Sequence, residues 1–550
     1  MAFLTVHFSD KAPFRLEIKT PCSAFEAYNE ACRSCGIVEK TKYCAGGICG
    51  KCRAKICGSL SEITETEKSK LSAHELGKGV RLLCQVEILG DAELFADYKA
   101  ENMQIESGGY FARIQEYADY DGLGVAIDLG TTTIAGLLFR AGHAEPLASA
   151  VLPNPQRCYG SDVITRITSS LEGHGGELFG LVCGAIDSLI EELCTKADCG
   201  AESVAKVCVS ANTTMLYLLT ERDCASIAKS PFDADCLFGL ELEAGNLNGR
   251  GGGLKAVNAS VPVFLLPCVS AFIGADTVSC ILSLNIEDCK RPAVIADLGT
   301  NSEMVLFVPS ESGRPAEIIC TSSAAGPAFE GANISCGMCA VEGAVENISL
   351  VNGRAEYAVI GGTEPAGLCG SGLLDAVAVL RQTCQLDEAG TIAFSDDSDD
   401  DEGLFETALD GSGAKVVLFK AASKEISLLQ SDIRAFQLAK ASLCAGLECL
   451  VNKAGIDSAD ISRLYLAGGF AKSFNVANAV YVGLFPDGMA RNVQYCGNAS
   501  LMGAALVLQD KHARAKAGAI AEKAKVFELG GSKLFQELFI KCMALKAQKL

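Results

Sequence analysis

Tryptophan is absent from this sequence of 550 residues, and histidine, with five residues, is scarce. Positive charge is also in short supply, because 47 Lys and Arg face 67 Asp and Glu, which gives a formal net charge of −20. Nucleic acid and anionic membrane surfaces repel so acidic a protein. The composition therefore argues against both as partners.

Long apolar runs are missing as well, since no stretch reaches the roughly 18–20 residues that a membrane-spanning helix needs. The first ten residues lack the basic start of a signal peptide. We therefore expect a cytoplasmic protein in which most of the 27 cysteines are reduced. So many free thiols favour an anaerobic host.

Four of the cysteines form a pattern. Cys44, Cys49 and Cys52 follow the spacing Cys-x4-Cys-x2-Cys, and Cys84 comes after the intervening residues 53–83. This is the ligand spacing of a plant-type 2Fe–2S cluster. The loop is rich in glycine, which lets backbone N–H groups approach the cluster sulfurs. We predict that these four cysteines bind the cluster and that the protein carries electrons.

A zinc knuckle or a set of buried free thiols is the alternative explanation of this segment. Zinc sites usually contain a second Cys-x2-Cys pair or a histidine, and the nearest histidines are His7 and His74. A further Cys-x2-Cys, Cys336 and Cys339, is a single pair and is interpreted as structural. The iron–sulfur interpretation is therefore preferred.

The chain length predicts three or more structural units. Residues 1–95 are predicted to form a β-grasp unit, with a helix near Ala24–Cys35. Residues 96–121 are polar and lack a clear period, so we interpret them as a linker. The acidic run Ser395–Glu402 is predicted to be a solvated loop, because it lacks the spacing of a calcium loop.

From residue 123 the chain shows an internal duplication. An apolar strand, a turn Asp128-Leu-Gly-Thr-Thr-Thr133 and a second apolar strand recur later around Asp297-Leu-Gly-Thr-Asn-Ser-Glu303. Such a repeat predicts two similar halves that face each other across a cleft. We assign 122–291 to the first half and 292–510 to the second. Residues 511–550 are predicted to form a basic, helical tail, for which simple packing is preferred to a cap on the two halves or on a dimer interface.

The repeated turns suit a nucleotide. Their glycines and hydroxyl residues offer N–H and O–H donors to phosphate, and Asp128 or Asp297 can hold Mg²⁺ through water. A third turn, Gly468-Gly469, follows a strand and leaves room for a purine and ribose. A single turn of this kind also fits a plain β-hairpin. Three turns in this order resemble the phosphate-1, phosphate-2 and adenosine motifs of the actin, Hsp70 and sugar-kinase superfamily.

In the same comparison, Ser270–Asp276 and Ala499–Ala505 are similar to the two helices that connect the halves in that superfamily. Their small residues suit helices that cross closely and hinge.

A cluster domain ahead of such an ATPase resembles one family, the reductive activators of corrinoid proteins. The resemblance covers nearly the whole chain and includes further motifs. These are Arg81-Leu-Leu-Cys84-Gln85, Asn154-Pro-Gln-Arg157-Cys-Tyr-Gly160-Ser-Asp-Val163, Asn212-Thr-Thr-Met215, Ser323-Ala-Ala-Gly326-Pro-Ala-Phe-Glu330-Gly331, Gly367-Leu-Cys369-Gly-Ser-Gly372-Leu-Leu-Asp375 and Gly497-Asn-Ala-Ser500.

The resemblance implies an α/β multidomain fold, with a ferredoxin-like domain followed by a duplicated ribonuclease-H-like ATPase. It implies an ATP-dependent enzyme that returns a cobalt(II) corrinoid to cobalt(I), with a 2Fe–2S cluster, ATP and Mg²⁺ as cofactors. The implied partners are a corrinoid protein of a methyltransferase system and a low-potential electron donor, and a homodimer is left open. The residues assigned to catalysis are Asp128 and Asp297, and those assigned to nucleotide binding are Gly130, Thr131, Thr132, Gly299, Thr300, Asn301, Glu303, Gly326, Gly468 and Gly469.

Three other functions remain open at this point. The same machine can serve a different client, such as a dehydratase that is activated by ATP-driven electron transfer. A small-molecule kinase with a redox-sensing domain needs an acidic base, for which Asp276 is the candidate. A chaperone-type ATPase is disfavoured because no apolar peptide-binding domain follows the two halves.

Overall fold

The computed structural model describes residues 2–8, 13–35, 52–71, 76–96, 118–160, 162–299, 301–311, 314–331, 333–393, 404–410, 413–421, 424–468 and 474–547. Five predicted features lie outside these residues, namely Cys44, Cys49, Thr300, Gly469 and the acidic run Ser395–Glu402. Residues 97–117 of the predicted linker also lie outside them. Within the described ranges, no helix is both long enough and apolar enough to cross a membrane.

The N-terminal residues form a mixed sheet with a helix packed against it. The strand order is β2-β1-β6-β4-β5, with β3 also paired with β6, and β1 is parallel to β6. The elements are β1 Ala2–Phe8, β2 Phe14–Ile18, β3 Cys22–Ser23, α1 Ala24–Ser34, β4 Arg53–Leu60, α2 Glu65–Lys70, β5 Val80–Leu82 and β6 Glu87–Ala96. Alternate residues of β1, such as Leu4 and Val6, are buried in a core that includes Phe25 of α1. This agrees with the predicted β-grasp unit.

The second sheet has the order β11-β12-β10-β7-β8-β9. Its strands are β7 Leu123–Leu129, β8 Thr133–Arg140, β9 Ala148–Pro153, β10 Val204–Ala211, β11 Phe238–Glu243 and β12 Pro262–Pro267. The first three strands form an antiparallel meander, and β10 lies parallel to β7 on its other side. The helices of this half are α3 Val163–Ser169, α4 Gly175–Lys196, α5 Thr213–Leu219, α6 Ala225–Ala228 and α7 Ala275–Leu284.

The third sheet repeats this arrangement, with the order β23-β22-β13-β14-β15-β24. Strands β13 Ala293–Leu298, β14 Ser302–Val308 and β15 Glu317–Ser323 form the meander, and β22 Arg463–Ala467 lies parallel to β13. Strand β23 Val493–Tyr495 and strand β24 Lys525–Val526 complete the sheet. The common meander with a parallel neighbour confirms the duplication that the sequence predicts.

Two small antiparallel or mixed sheets add to the second half. They consist of β16 Ala344–Val351, β17 Arg354–Val359 and β18 Gly367–Leu368, and of β19 Glu406–Asp410, β20 Gly413–Ala421 and β21 Lys424–Leu429. The remaining helices are α8 Gly370–Gln382, α9 Gln430–Ala454, α10 Val476–Tyr481, α11 Ala499–Gln509, α12 Lys511–Lys523 and α13 Lys533–Cys542. Helix α13 buries Leu538 and Cys542 against α9, and β24 joins the third sheet, so these parts of the tail pack on the second half. Helix α12 packs on the first half instead, where Ala513, Ala517 and Ile520 are buried in its core.

Candidate active site

The two repeated turns each follow a buried strand. In the first turn, the Gly130 N–H donates to the carbonyl of Thr133 at 2.9 Å. A Cβ at Gly130 would lie 2.7 Å from that same oxygen, so only glycine fits this close approach. In the second turn, Gly299 and Asn301 flank Thr300, which lies outside the described residues. Asp128 and Asp297 therefore occupy equivalent positions, one residue before the end of β7 and of β13.

The carboxylate of Asp128 is held by the first turn of α11. The Asn498 side-chain amide donates to Asp128 at 2.8 Å, and the Ser500 hydroxyl donates to it at 2.7 Å. Asn498 is also the N-cap of α11, because its side-chain oxygen accepts the Leu501 N–H at 2.8 Å. Burial raises the pKa of Asp128, and these two hydrogen bonds oppose that shift.

Three further carboxyl groups lie close enough to Asp128 to influence one another. Burial raises the pKa of Asp276 to about 7, and the charges of Asp297 and Asp128 add to the shift. Burial raises the pKa of Asp297 to about 6, and Asp128 contributes again. The pKa of Glu303 is raised well above its ordinary value by burial and by Asp276 and Asp297. We call Asp128, Asp276, Asp297 and Glu303 the acidic floor.

The acidic floor suits a hard divalent cation. Its carboxyls are partly accessible to solvent although protein surrounds them, so a bound cation relieves both their desolvation and their repulsion. Among the described residues, no group of three or more His, Cys, Asp or Glu is arranged to hold a metal directly. The carboxyl groups of the floor are hard oxygen donors and so fit Mg²⁺ in chemical type, while its binding through water stays a prediction.

Helices α7 and α11 cross closely next to the floor. The Ser210 hydroxyl lies 2.8 Å from that of Ser279 on α7 and 3.0 Å from that of Ser500 on α11. A Cβ at Gly503 would lie 2.4 Å from the Ser279 carbonyl oxygen. This close crossing agrees with the small residues of the two segments that resemble connecting helices.

Side chains from both halves meet at the first turn. The Thr132 hydroxyl donates to Glu330 of the second half at 3.2 Å, and the Asn212 side-chain amide donates to the Thr131 hydroxyl at 3.1 Å. Glu330 ends the short helical turn Pro327–Glu330, just after Gly326, whose φ is +78°. The first turn is thus linked to α5 and to the second half.

The third turn lies against the second. Gly468 follows β22 with φ +101°, and a Cβ there would lie 2.5 Å from the Leu298 carbonyl oxygen. This position therefore requires glycine in conformation and in space. Its neighbour Gly469 lies outside the described residues. The nucleotide-binding roles of all these residues stay predictions.

Two of the four predicted cluster ligands lie side by side. The sulfurs of Cys52 and Cys84 are 3.2 Å apart, and the Cys84 N–H points to the Cys52 sulfur at 3.5 Å. Neither cysteine forms a disulfide bond. Cys44 and Cys49 lie outside the described residues, so the full set of four stays a prediction.

Sequence reasoning assigned no role to Asn498, Ser500 or Glu330, although each lies in a quoted motif. Their contacts join segments that are far apart in the chain, because Ser500 touches Asp128 and Glu330 touches Thr132. No local spacing encodes such pairs. The only sequence signal was a polar residue at a helix start or beside a glycine-rich turn.

Comparisons with known proteins cover most of the chain. The family model described as the RACo middle region matches residues 123–288, and the model described as the C-terminal domain of RACo, the ASKHA domain, matches residues 291–550. A solved structure described as a reductive activator for corrinoid, iron–sulfur protein is 24% identical, covers 100% of this chain and 99% of its own, and has a TM-score of 0.67. That likeness shows a common fold.

Two named proteins are also similar to this chain in sequence. The corrinoid activation enzyme RamQ of Eubacterium limosum is 30% identical over 424 residues, which are 76% of this chain and 69% of that protein. The [Co(II) methylated amine-specific corrinoid protein] reductase of Methanosarcina barkeri is 24% identical over 261 residues, which are 44% of this chain and 43% of that protein.

Proposed function

Because this chain belongs to the family of reductive activators of corrinoid proteins, we propose that it is an ATP-dependent one-electron reductase that returns a corrinoid protein from cobalt(II) to cobalt(I). The corrinoid protein of a methyltransferase system is the electron acceptor, and a low-potential carrier is the donor. The proposed setting is the cytoplasm, where thiols stay reduced. Sedimentation analysis tests whether the chain forms a homodimer.

The observation that carries the proposal is the presence of two unlike sites in one chain of this family. The duplicated turns surround an acidic floor, and the paired thiols of Cys52 and Cys84 lie in a separate N-terminal sheet. Neither site alone explains a reductase that consumes ATP. We propose domain limits of 1–95, 96–121, 122–291, 292–510 and 511–550 for these parts.

Cys44, Cys49, Cys52 and Cys84 would hold the 2Fe–2S cluster, which supplies one electron at a time when bound. The donor set fits, because the two described thiols converge to 3.2 Å although 31 residues, 53–83, separate them in the chain. Thiolate donors are what such clusters require. The role of the protein would be to hold these sulfurs together.

Asp128 and Asp297 would bind Mg²⁺ through water, while the first two turns hold the phosphates of ATP and the Gly468–Gly469 turn holds the adenosine. The close crossing of α7 and α11 supports coupling, because the Ser279–Ser210–Ser500 hydroxyl chain links both helices to Asp128. Cobalt(I) is strongly reducing, so the transfer is uphill from an ordinary donor. ATP must therefore favour one arrangement of the halves by a difference in binding free energy.

Anaerobic absorption spectroscopy tests the proposal. The reconstituted protein is mixed with Ti(III), Mg-ATP and a cobalt(II) corrinoid protein, and cobalt(I) absorbance should appear only when ATP is present. Cys84→Ser should abolish the visible spectrum of the cluster and the reduction while leaving ATP binding intact. Cys57→Ser is the matched control, because Cys57 is exposed and outside the ligand pattern.

Two results would count against the proposal. Cobalt(I) formation at the same rate without ATP would remove the need for the nucleotide site. A wild-type visible spectrum in Cys84→Ser would remove that residue from the ligand set.

A further inference from the structure

The segment from Asn154 to Arg166 lies directly behind the first phosphate turn. It contains the motif that begins Asn154-Pro-Gln, to which the proposed function assigns no role. Three of its polar side chains, those of Asn154, Gln156 and Arg166, are completely buried. Buried polar groups are costly unless they are bonded, so their partners are informative.

Gln156 donates to the Leu178 carbonyl at 2.9 Å, whereas Asn154 and Arg166 bond three successive carbonyl groups of the turn. The Asn154 side-chain amide donates to the Gly130 carbonyl at 2.8 Å, and the Asn154 backbone N–H donates to the Thr132 carbonyl at 2.9 Å. Between these two bonds, the Arg166 guanidinium donates to the Thr131 carbonyl at 2.5 Å. The back of the turn is therefore fully bonded by one segment.

This bonding sets the direction of the amide groups. In a trans peptide the carbonyl and the following N–H point in opposite directions. Carbonyls of Gly130 and Thr131 that point back to the segment therefore turn the N–H groups of Thr131 and Thr132 away from it. In the described part of the chain, neither of these N–H groups has an acceptor. Two free, aligned N–H groups are an anion-binding arrangement.

The charge of Arg166 adds to this arrangement. Its other bonds go to neutral acceptors, which are the Gly160 carbonyl at 2.9 Å, the Gln156 side-chain oxygen at 3.4 Å and the Met215 sulfur at 3.3 Å. The ion pairs of the described residues do not include Arg166, and the nearby Asp162 carboxylate accepts bonds from Thr165 instead. A buried cation without a bonded anion is expensive. Burial lowers the pKa of Arg166 to about 9, so the group still carries its charge at neutral pH.

We propose that Asn154 and Arg166 are positioning residues for the phosphates of the nucleotide: they orient the N–H groups of the first turn, and the buried guanidinium supplies the countercharge behind it. The inference rests on the proposed function, because it assumes that this turn binds ATP. It adds the source of the positive charge, which neither Gly130, Thr131 nor Thr132 provides.

Isothermal titration of the full chain with Mg-ATP and, separately, with adenosine tests the inference. Arg166→Met should weaken Mg-ATP binding by about 10-fold or more, because a countercharge within the protein is lost. Adenosine affinity should change less than about 2-fold, since no phosphate is involved. Arg166→Lys, which keeps the charge but not the fork, should retain part of the ATP affinity. Asn154→Ala provides a second variant in case Arg166→Met does not fold.

Lys440→Met is the matched control. Lys440 is also fully buried. Among the residues that the structure describes, its ammonium donates to backbone carbonyls alone, those of Val482, Gly483 and Ala544 at 2.9, 3.1 and 2.6 Å. Its loss should lower stability and leave the ratio of ATP to adenosine affinity unchanged. A merely structural role of Arg166 predicts the same result for Arg166→Met, and an unchanged ratio there would overturn the inference. Wild-type protein that fails to bind Mg-ATP would instead overturn the proposed function.

Discussion

At the scale of single residues, the acidic floor is assembled from three separate parts of the chain. Asp128 and Asp297 are predicted by the repeated turn, and Glu303 lies opposite Asp297 in the register of β13 and β14. Asp276 comes from the start of α7. Neighbouring carboxyls add to the rise in the pKa of Asp276, Asp297 and Glu303, because ionised carboxylates repel one another.

This raises a test of pH dependence. The pKa of Asp276 is about 7 in the folded protein, against 3.8 as the ordinary value. Between these values the folded protein binds more protons than the unfolded chain, so this group contributes less stability as the pH rises. Asp276→Asn removes the effect. We expect the free energy of unfolding of the variant, relative to wild type, to rise by about 1–3 kcal/mol between pH 4 and 7.

Urea unfolding at several pH values without nucleotide measures this difference. Addition of Mg²⁺ with ATP should raise the free energy of unfolding of the wild type more than that of the variant, because the cation stabilises the ionised carboxyl. A difference that stays constant across this pH range would contradict the role of Asp276 in the floor.

At the scale of elements, α11 connects the site with the start of the nucleotide-binding part. Its first turn holds Asp128 through Asn498 and Ser500, and its last residue, Gln509, donates to the carbonyls of Arg140 and His143, both at 2.9 Å. Gln509 also accepts the Tyr120 hydroxyl at 3.3 Å. The resemblance to the actin, Hsp70 and sugar-kinase superfamily predicts a connecting helix here, but the sequence does not identify the surface that the helix contacts.

Two glycine substitutions test the helix crossing. Gly503→Ala places a methyl group 2.4 Å from the Ser279 carbonyl, so α7 and α11 must separate. We expect a loss of about 1–3 kcal/mol in the free energy of unfolding. Weaker Mg-ATP binding should accompany it, because Asp128 depends on α11.

Gly518→Ala is the control. Gly518 lies in α12, and a Cβ there meets nothing within 4 Å. Alanine should stabilise this helix by about 0.5–1 kcal/mol, since glycine is the poorer helix former. Thermal or urea unfolding measures both variants. If Gly503→Ala and Gly518→Ala change the free energy of unfolding equally, the crossing of α7 and α11 is not tightly packed.

At the scale of the whole molecule, the end of the predicted linker is part of the nucleotide-binding fold. Asp119 forms an ion pair with Lys206, which is only 4% exposed, and the Tyr120 ring lies where a Cβ of Gly124 would be. Asp119 and Tyr120 are thus anchored to β7, β10 and α11. These contacts make it possible to test whether the linker ends at residue 121, as proposed, or before residue 119.

Two shortened chains make the comparison. A chain that begins at residue 118 should bind Mg-ATP and lack any visible spectrum, because the cluster ligands are gone. A chain that begins at residue 122 also loses Asp119 and leaves the Lys206 ammonium buried without its anion. We expect it to be less stable by about 2 kcal/mol or more in urea unfolding. Equal stability would favour the limit at residue 121.

Local patterns in the sequence were sufficient for the strand–turn–strand duplication, the separate N-terminal sheet and the order of the three turns. Each depends on neighbours in the chain, on the alternation of apolar residues or on the conformational freedom of glycine. The close pairing of Cys52 and Cys84 also agrees with their spacing.

Only the tertiary structure decided which distant groups support these turns. Asn498 and Ser500 on Asp128, Glu330 on Thr132, and Arg166 on Thr131 are pairs that join separate segments. A hydrogen bond or a countercharge depends on distance in space, and chain folding brings together residues whose separation in sequence carries no signal. The sequence by itself thus determined the three glycine-containing turns and the cysteine pattern, and the packing decided which charged and polar groups contact those turns.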